Sequence, residues 1–344
     1  MRTTDEQADI REAELSDLVA LLADRDILQR DLLAVWRGRS DDQLGRISEY
    51  ALVPPGKMLR PLLVLEAARC VGGFAEDLTE LALAVEYLHV ATLIHDDIID
   101  EDRMRRGRPS VQAEFGVPAA IVVGDGLILE TFAALTGPRP ESVSDADVVA
   151  VVAAMASAGL SLCRGQLLEA ELAGDLHCTV EQYLAMAQLK TGVLFESACR
   201  VGAILGTGRQ EWIEALGMFG SHLGTAFQIR DDLLAFDGSS ELIGKPRESD
   251  LENRRPTLPL LLAYQRASGG DREELERAFR EEHPGGESYA RVCGIVAATG
   301  AREAAGEHAA EMIRKAKHCL AALPDNKSVA TLSEIADYAS GRRV

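Results

Sequence analysis

Residues Asp77–Asp102 read DLTELALAVEYLHVATLIHDDIIDED, and this segment does most to set the fold class. It is rich in Ala and Leu, which favour helices, and it contains no Gly or Pro that would end one. Asp96 and Asp100 are four residues apart, so on a helix they share one face, and His89 lies on that face two turns earlier. The segment therefore predicts a long apolar helix with a pair of carboxylates towards its end.

Stretches of the same kind continue on both sides. Helical periodicity with few strand signals predicts two more long helices, at about Thr179–Leu205 and about Gln210–Phe236. Long helices with short connections predict an all-α fold, a large bundle that can enclose a cavity. The turn-like breaks between them lie at Val53–Gly56, Gly72–Gly73, Gly107–Pro109, Gly137–Pro140, Gly206–Gly208, Gly238–Ser240, Gly269–Gly270 and Pro284–Gly286.

Composition agrees with an all-α protein. The chain has 344 residues, of which 47% are hydrophobic and only 5% aromatic, so it can bury a sizeable core. We find no internal repeat and no low-complexity linker. We therefore expect a single domain over residues 1–344, in which residues 1–50 could form an N-terminal helical extension. Two domains are the alternative for a chain of this length.

The acidic balance of the chain limits its partners. A formal net charge of −19 argues against nucleic acid, because that binding needs neutralising Lys and Arg side chains. Small anionic substrates are compatible with this charge, since a local basic cluster can be set against it. In the absence of such a cluster, the charge serves only solubility.

Neither a targeting signal nor a transmembrane segment is expected. The N-terminus, MRTTDEQADIREAEL, is polar and acidic, and the longest apolar run, Val148 to Cys163, contains two Ser and falls short of a span. We therefore expect a cytoplasmic protein. No two cysteines have the CxxC spacing of a zinc site, and we expect their thiols to be reduced and buried. The six cysteines are Cys70, Cys163, Cys178, Cys199, Cys293 and Cys319.

The carboxylates on the first long helix predict a metal site. Like-charged side chains at helical spacing repel one another, and a divalent cation removes that repulsion. Mg²⁺ prefers oxygen and is typically held by one or two carboxylates together with substrate phosphates. The alternative is a solvated acidic helix end that is neutralised by the Arg residues in the following segment. Those residues are Arg103, Arg105 and Arg106.

A second acidic motif lies farther along the chain, in AFQIRDDLLAFDG. Asp231 and Asp232 again lie on an apolar helix, with Gln228 one turn earlier. Two acidic motifs that face each other across a cavity could hold several Mg²⁺ ions around one diphosphate. Basic residues are then needed to neutralise the phosphates, and the candidates are Lys57, Arg60, Arg105, Arg106, Lys190 (beside Thr191) and Lys245.

Taken in order, these motifs resemble those of the trans-isoprenyl (polyprenyl) diphosphate synthases, of the geranylgeranyl or longer-chain type. The resemblance extends from about residue 56 to residue 263. It implies a bundle of long antiparallel helices around a central hydrophobic cavity, usually in a homodimer. The matching segments are GKMLRP, EYLHVATLIHDDIIDEDRMRRGRPS, VVGDGLILETF, GQLLEAEL, EQYLAMAQLKTGVLF, AFQIRDDLLAFDG, GKP and RPTLPLLLA.

The resemblance also implies roles for the matching residues. The ligands of Mg²⁺, three ions bound with the substrate diphosphate, would be Asp96, Asp97, Asp100, Asp231 and Asp232. The residues that contact the allylic diphosphate would be Arg105, Lys190 and Lys245. The pocket for isopentenyl diphosphate would comprise Lys57, Arg60, His89 and Arg106. The catalytic residues that line the reacting region would be Lys190, Thr191 and Gln228.

The implied activity is the head-to-tail 1′-4 condensation of isopentenyl diphosphate with dimethylallyl, geranyl or farnesyl diphosphate, which yields an all-trans prenyl diphosphate and releases diphosphate. In this family, bulky side chains one to two turns before the first motif limit product length. This chain has small residues there, Ala91 and Thr92, which favours a product of C20 or longer. The residues that would next close the bottom of the product cavity are Leu88, Val85 and the segment Gly124–Thr131. Within that segment, Gly126 is small where the family often has an aromatic residue.

The second motif departs from the Asp-Asp-x-x-Asp pattern of the family. Its last position is Ala235, and Asp237 lies two residues on, on the wrong face of a helix. We expect weaker or altered metal binding there.

Two other functions are considered: a class I terpene cyclase, and a non-catalytic regulatory subunit of a heteromeric synthase. Ser239 does not fit the second motif of a cyclase, and the basic set argues against both.

Overall fold

The computed structural model describes residues 23–39, 41–206, 208–236, 249–281 and 285–339. Across this part of the chain the regular structure is helical, apart from one hairpin of two very short strands, which confirms the predicted all-α fold. The helices are α1 (23–37), α2 (Gln43–Leu52), α3 (Leu59–Cys70), α4 (Thr79–Ile99), α5 (Val111–Phe115), α6 (Val117–Thr136), α7 (Asp145–Leu172), α8 (Val180–Ala187), α9 (Val193–Leu205), α10 (Gln210–Leu234), α11 (Ser249–Glu252), α12 (Leu258–Arg266), α13 (Gly270–Arg280), α14 (Gly286–Ala298), α15 (Ala301–Cys319) and α16 (Lys327–Ala339).

Shorter elements join the helices. Two 3₁₀ segments lie at Ala75–Leu78 and Leu320–Ala322, and a π-helical segment, Gln188–Gly192, joins α8 to α9. The antiparallel hairpin pairs β1 (Met104–Arg105) with β2 (Arg108–Pro109).

α4 lies at the centre of the bundle and packs against α3, α6 and α9. Its residues are apolar on nearly every side as far as Ala91, and a helix of this kind is stable only when it is buried. It begins and ends within three residues of the segment that the sequence predicts, and Asp100 is its C-terminal cap. The two carboxylates therefore lie at the end of a rigid, buried helix.

The other two predicted long helices are also present. The segment predicted at Thr179–Leu205 is divided into α8, the π-helical segment and α9, and it begins with a capping box in which Thr179 and Gln182 bond to each other's backbone N–H. α10 ends two residues before the predicted Phe236. α9 packs against α3, α7 and α10, so these helices surround one central space with α4.

α1 is docked on the bundle by one apolar face. Leu28, Leu32 and Trp36 follow each other at four-residue spacing and are buried, with Trp36 edge-on to the Tyr87 ring of α4. Arg69 of α3 forms a two-nitrogen ion pair with the Asp24 carboxylate at 2.6 and 3.2 Å. Within the predicted N-terminal extension, the described part is therefore packed against the core.

α6 and α7 carry large apolar side chains on their exposed surface. Both are long and apolar enough to span a membrane by length and composition, and most of each helix lies outside the buried core. The run that we expected to fall short of a span, Val148 to Cys163, is part of a longer helix that extends over Asp145–Leu172. Two such helices are weak evidence for a membrane. Their large exposed apolar side chains are Val117, Ile121, Val122, Leu129, Val149, Leu160 and Leu167.

Candidate active site

Five charged side chains converge from separate parts of the chain at the end of α4. Asp96 and Asp100 come from α4, Glu169 from α7, Lys190 from the π-helical segment, and Arg255 from the loop before α12. Lys190 Nζ lies 2.5 Å from Glu169 Oε2, and Arg255 Nε lies 3.7 Å from the same oxygen. Arg255 also donates a hydrogen bond to Asp100. Asp100, Glu169, Lys190 and Arg255 each have side chains at most 16% exposed, so the charges interact in a poorly solvated space.

The π-helical segment explains how Lys190 reaches this space. An added Cβ at Gly165 of α7 would lie 2.5 Å from the backbone nitrogen of Lys190, so only glycine allows the two segments to approach so closely. Glu169 lies one turn after Gly165 and therefore faces Lys190. Single π turns inside helices are frequent at functional sites, because the extra residue redirects the side chains around it.

The environment of Asp96 disfavours an isolated negative charge. Burial raises the pKa of the Asp96 carboxyl; Lys190 and Arg255 oppose this rise, whereas the carboxylates of Asp100 and Glu169 add to it. Three carboxylates thus share the space with two cations. The ionised form of Asp96 becomes favourable when a further cation enters.

Mg²⁺ fits this set of donors. Carboxylate oxygens are the ligands that the ion prefers, and the charges of Asp100 and Glu169 both act on Asp96. Among the described residues, no three acidic, His or Cys side chains converge tightly enough to hold a metal ion by themselves. The oxygens of a bound diphosphate would have to complete the coordination.

Asp97, the middle residue of the first motif, points elsewhere. It is buried and accepts a hydrogen bond from Arg105 Nε at 2.8 Å. Arg105 also lies 3.7 Å from the Asp102 carboxylate. Arg106 and Gly107, both at positive φ (52° and 75°), make the tight turn of the hairpin that carries Arg105. The structure therefore joins Asp97 to Arg105 and places this pair behind the Asp96–Asp100 face.

The second motif belongs to a chain of hydrogen bonds. Asp232 is buried, and its two carboxylate oxygens accept from the Tyr183 hydroxyl at 2.6 Å and from Gln228 Nε2 at 2.9 Å. The Gln228 amide oxygen accepts from Thr191 Oγ1 at 2.6 Å. The neighbouring Asp231 is exposed. Thr191 and Gln228, both predicted in the reacting region, are thus in contact and are oriented by Asp232.

The part of the second motif where this chain departs from the family lies at the end of α10. Ala235 caps the helix, and its carbonyl accepts a hydrogen bond from the Tyr289 hydroxyl of α14. Asp237 and the predicted substrate residue Lys245 lie outside the described residues.

A second cluster of cations surrounds Glu86, in the turns of α4 that precede the first motif. Arg60 lies over the Phe195 ring at 4.5 Å, and burial lowers its pKa to about 10, with Glu86 opposing the shift. Arg106 Nη2 lies 4.0 Å from Glu86 Oε1, and burial lowers the pKa of Arg106 as well. Burial, Arg60 and Arg106 together hold the pKa of His89 well below its usual value, so its ring is neutral.

This cluster is poised for an anion. Burial raises the pKa of Glu86, and the charges of Arg60 and Arg106 oppose this rise. Arg60 Nε is buried and has no hydrogen-bond partner among the described residues. A bound phosphate oxygen would supply that partner and relieve the repulsion between the arginines. Lys57, the fourth predicted member, is exposed in the loop before α3.

The predicted chain-length positions lie on α4 and α6. Ala91 and Leu88 are buried, and Thr92 is half-buried with its hydroxyl donating to the His89 carbonyl at 2.7 Å. Gly126 faces α2, since an added Cβ would lie 3.1 Å from Leu44 Cδ1.

Three residues of the site escaped the sequence analysis: Glu169, Tyr183 and Arg255. Each lies inside a segment whose pattern was noted, GQLLEAEL, EQYLAMAQLKTGVLF or RPTLPLLLA. A charged or phenolic side chain in an otherwise apolar helical segment was the available signal. Local spacing does not show that these segments converge on α4.

Comparisons with known proteins show the family of the chain. A family model described as "Polyprenyl synthetase" matches residues 41–296. A short chain isoprenyl diphosphate synthase of Methanothermobacter thermautotrophicus is 36% identical over 299 residues, 86% of this chain and 90% of that protein. Other relatives are named geranylgeranyl, geranylfarnesyl and octaprenyl diphosphate synthases, so product length varies among them.

Solved structures give the same result. A geranylgeranyl pyrophosphate synthetase from Pyrococcus horikoshii matches with a TM-score of 0.86 at 29% identity, over 96% of this chain and 99% of that one. A polyprenyl synthase from Caulobacter crescentus, solved with calcium and isoprenyl diphosphate, matches with a TM-score of 0.83 at 32% identity, over 97% of each chain. The present chain belongs to the polyprenyl synthetase family of trans-prenyl diphosphate synthases and is a prenyltransferase.

Proposed function

We propose that the chain condenses isopentenyl diphosphate with an allylic diphosphate, head-to-tail (1′-4), to give an all-trans prenyl diphosphate of C20 or longer. The observation that carries this proposal is the convergence of three carboxylates and two cations from four separate elements. The paired carboxylates Asp96 and Asp100 suit Mg²⁺, and Lys190 and Arg255 suit the phosphate oxygens.

The allylic diphosphate would bind between α4, α7 and the π-helical segment. Asp96 and Asp100 would hold Mg²⁺ there, and Asp231 would face it from α10; we propose three ions in all. When bound, Mg²⁺ supplies Lewis-acid stabilisation of the departing diphosphate. Lys190 and Arg255 would donate hydrogen bonds to the same oxygens as negative charge builds on them, in a space where low solvation strengthens each contact.

Isopentenyl diphosphate would bind at the cluster of Arg60, His89 and Arg106, with Lys57 reaching in from the loop. The allylic C–O bond breaks with its electron pair on the diphosphate, and the isopentenyl double bond attacks the allylic carbon. A proton then leaves the new chain for the released diphosphate. Thr191 and Gln228 hold each other at 2.6 Å beside this path and keep their polar atoms fixed while water is excluded.

Product length would follow from the side chains of α4 below the first motif. Ala91 and Thr92 leave room at the positions where larger residues would stop a growing chain. Leu88 and Val85, one and two turns before Thr92 on the same side of α4, are larger and buried. This arrangement supports a product of C20 or longer.

We further propose a cytoplasmic homodimer in which each chain forms one synthase domain over residues 1–344. The support is the exposed apolar surface of α6 and α7, where Leu129, Leu160 and Leu167 are 60–70% exposed. Monomeric proteins rarely leave a patch of this extent uncovered. A second copy would cover it, because the same surface on both copies pairs about a two-fold axis.

Product analysis tests the proposal. The purified protein would be incubated with Mg²⁺, labelled isopentenyl diphosphate and each allylic primer from C5 to C20. A prenyl diphosphate ladder that ends at C20 or beyond is expected, and Asp96→Ala should abolish it. A C15 product would refute the argument from Ala91 and Thr92. A hydrocarbon made without isopentenyl diphosphate would indicate a cyclase, and activity only after addition of a partner protein would indicate a regulatory subunit.

A further inference from the structure

The loop that carries Lys57 has little internal support. Residues 53–58 lie outside any helix or strand, between α2 and α3. The loop ends at Met58, a buried non-glycine residue with a left-handed backbone (φ 56°), a conformation that persists only where the surroundings impose it. What holds this loop therefore sets the position of Lys57.

Two side chains from distant segments hold the loop. Gln29 of α1 donates from Nε2 to the Gly56 carbonyl at 2.9 Å, and Arg106 Nη1 donates to the Pro54 carbonyl at 3.3 Å. Gly56 lies so close to Arg106 that an added Cβ would be 2.7 Å from its Nη2 atom. The loop is thus held between α1 on one side and the Arg106 guanidinium on the other.

Gln29 is itself fixed in place. Its neighbour Leu28 and Leu32, one turn later, are completely buried, and Asp24 ties the same helix to Arg69 of α3. A hydrogen bond from a rigid helix to a carbonyl restricts the peptide that follows it, here the one leading into Lys57. It also fixes how closely the loop approaches Arg106.

We infer that Gln29 is a positioning residue for isopentenyl diphosphate, and that α1 is part of that subsite rather than an accessory extension. This inference rests on the proposed function, because it takes Lys57 and Arg106 as phosphate ligands. Without the Gln29 bond, the substrate would have to order Lys57 and its loop, and that ordering weakens binding. The allylic diphosphate, bound at Asp96, Asp100 and Lys190, would be unaffected, because Gln29 bonds to the loop at residues 53–58 and not to that set.

The test measures binding without turnover. Full-length protein would be titrated calorimetrically with isopentenyl diphosphate alone, and separately with dimethylallyl diphosphate and Mg²⁺. Gln29→Met keeps the side-chain length but removes the donor, whereas Gln29→Glu places a carboxylate against the Gly56 carbonyl. Gln210→Met is the matched control, since Gln210 is exposed at the start of α10 and donates to Glu214.

Gln29→Met should weaken isopentenyl diphosphate binding about three- to tenfold, the effect of one lost hydrogen bond. Gln29→Glu should weaken it further, and Gln210→Met should match wild type. Dimethylallyl diphosphate binding and the Tm should stay near wild type in all three variants. Equal weakening of both substrates would show a merely structural role and would overturn the inference.

The two proposals can fail separately. If wild type binds isopentenyl diphosphate and Gln29→Met binds it equally well, the inference about Gln29 is overturned alone. A wild-type protein that binds no isopentenyl diphosphate would overturn the proposed function and this inference with it.

Discussion

Arg255 donates a hydrogen bond from Nη2 to the Asp100 carboxylate, so two residues 155 positions apart in sequence share one charged contact. Arg255 Nε also lies 3.7 Å from Glu169 Oε2. One guanidinium therefore neutralises carboxylates from two helices, α4 and α7. A planar group with several donors suits this role, because it can contact both carboxylates and still present an N–H to a third anion.

Arg255→Gln should reduce kcat/KM for the allylic diphosphate about 10- to 100-fold, the effect of losing a charge-assisted hydrogen bond of about 1.5–3 kcal/mol. Steady-state kinetics with a varied allylic primer would measure it. Arg254→Gln makes the same change one residue earlier, at a position with no part in the proposed site, and should stay near wild type. Equal losses in the two variants would contradict a role for Arg255 in substrate binding.

Asp96→Asn should stabilise the metal-free protein while it destroys activity. The folded-state pKa of Asp96 is raised, so its ionised form costs folding free energy once the pH exceeds the unfolded value of about 3.8. The variant should therefore have a higher Tm than wild type near neutral pH without Mg²⁺, and the difference should vanish near pH 3. Activity should fall about 10²- to 10³-fold. A lower Tm at neutral pH would show that Asp96 is a structural residue.

The part of the fold that depends on local pattern could be predicted from the sequence. The apolar run around Leu83 and Leu88 predicted the two ends of α4 to within three residues. A helix that is apolar on all sides is stable only in the core of the protein. The spacing of four between Asp96 and Asp100 placed them on one face by geometry alone. Their proximity to each other needed no knowledge of the tertiary structure.

The rest of the site depends on tertiary approach. Glu169 faces Lys190 only because Gly165 lets α7 touch the π-helical segment, and helical periodicity cannot predict a π turn. Asp97 shares a motif with Asp96 but turns to Arg105, a pairing set by the hairpin turn. Spacing and family resemblance thus predicted candidate residues, but contacts between helices decide which of them lie together.

Tyr183→Phe tests the hydrogen-bond chain of the second motif. The hydroxyl bonds to the buried Asp232, so its loss should lower the free energy of unfolding by about 1–3 kcal/mol. It should also lower kcat, because Asp232 then holds Gln228 and Thr191 less firmly. Tyr264→Phe is the matched control: its hydroxyl bonds to Glu276 at 2.8 Å, away from the site. Comparable kcat values in the two variants would refute a positioning role for Tyr183.

His89 should make stability depend on pH. Its folded-state pKa is depressed by burial and by Arg60 and Arg106, whereas in the unfolded chain it protonates near pH 6.5. Below that pH the unfolded state binds more protons, so stability falls as the pH falls, by at most about 1.4 kcal/mol per pH unit. Urea midpoints of wild type and His89→Asn, compared at pH 7.5 and 5.5, isolate this contribution. If the difference in urea midpoint between wild type and His89→Asn is the same at both pH values, His89 does not contribute to the pH dependence of stability.

The exposed surface of α6 and α7 should control assembly. Leu129 and Leu167 are 70% and 66% exposed. In a two-fold dimer, a charge introduced at either position would be buried in the interface once from each copy. Leu129→Asp or Leu167→Asp should weaken the dimer at least about a hundredfold, since each copy loses a buried leucine and gains a desolvated carboxylate. Light scattering on protein eluting from a size-exclusion column would show a shift from dimer to monomer.

Phe74→Asp, at a 77% exposed apolar side chain away from these helices, should leave the dimer intact. A monomeric wild type would refute the homodimer itself, whereas dimers in all three variants would place the interface on another surface.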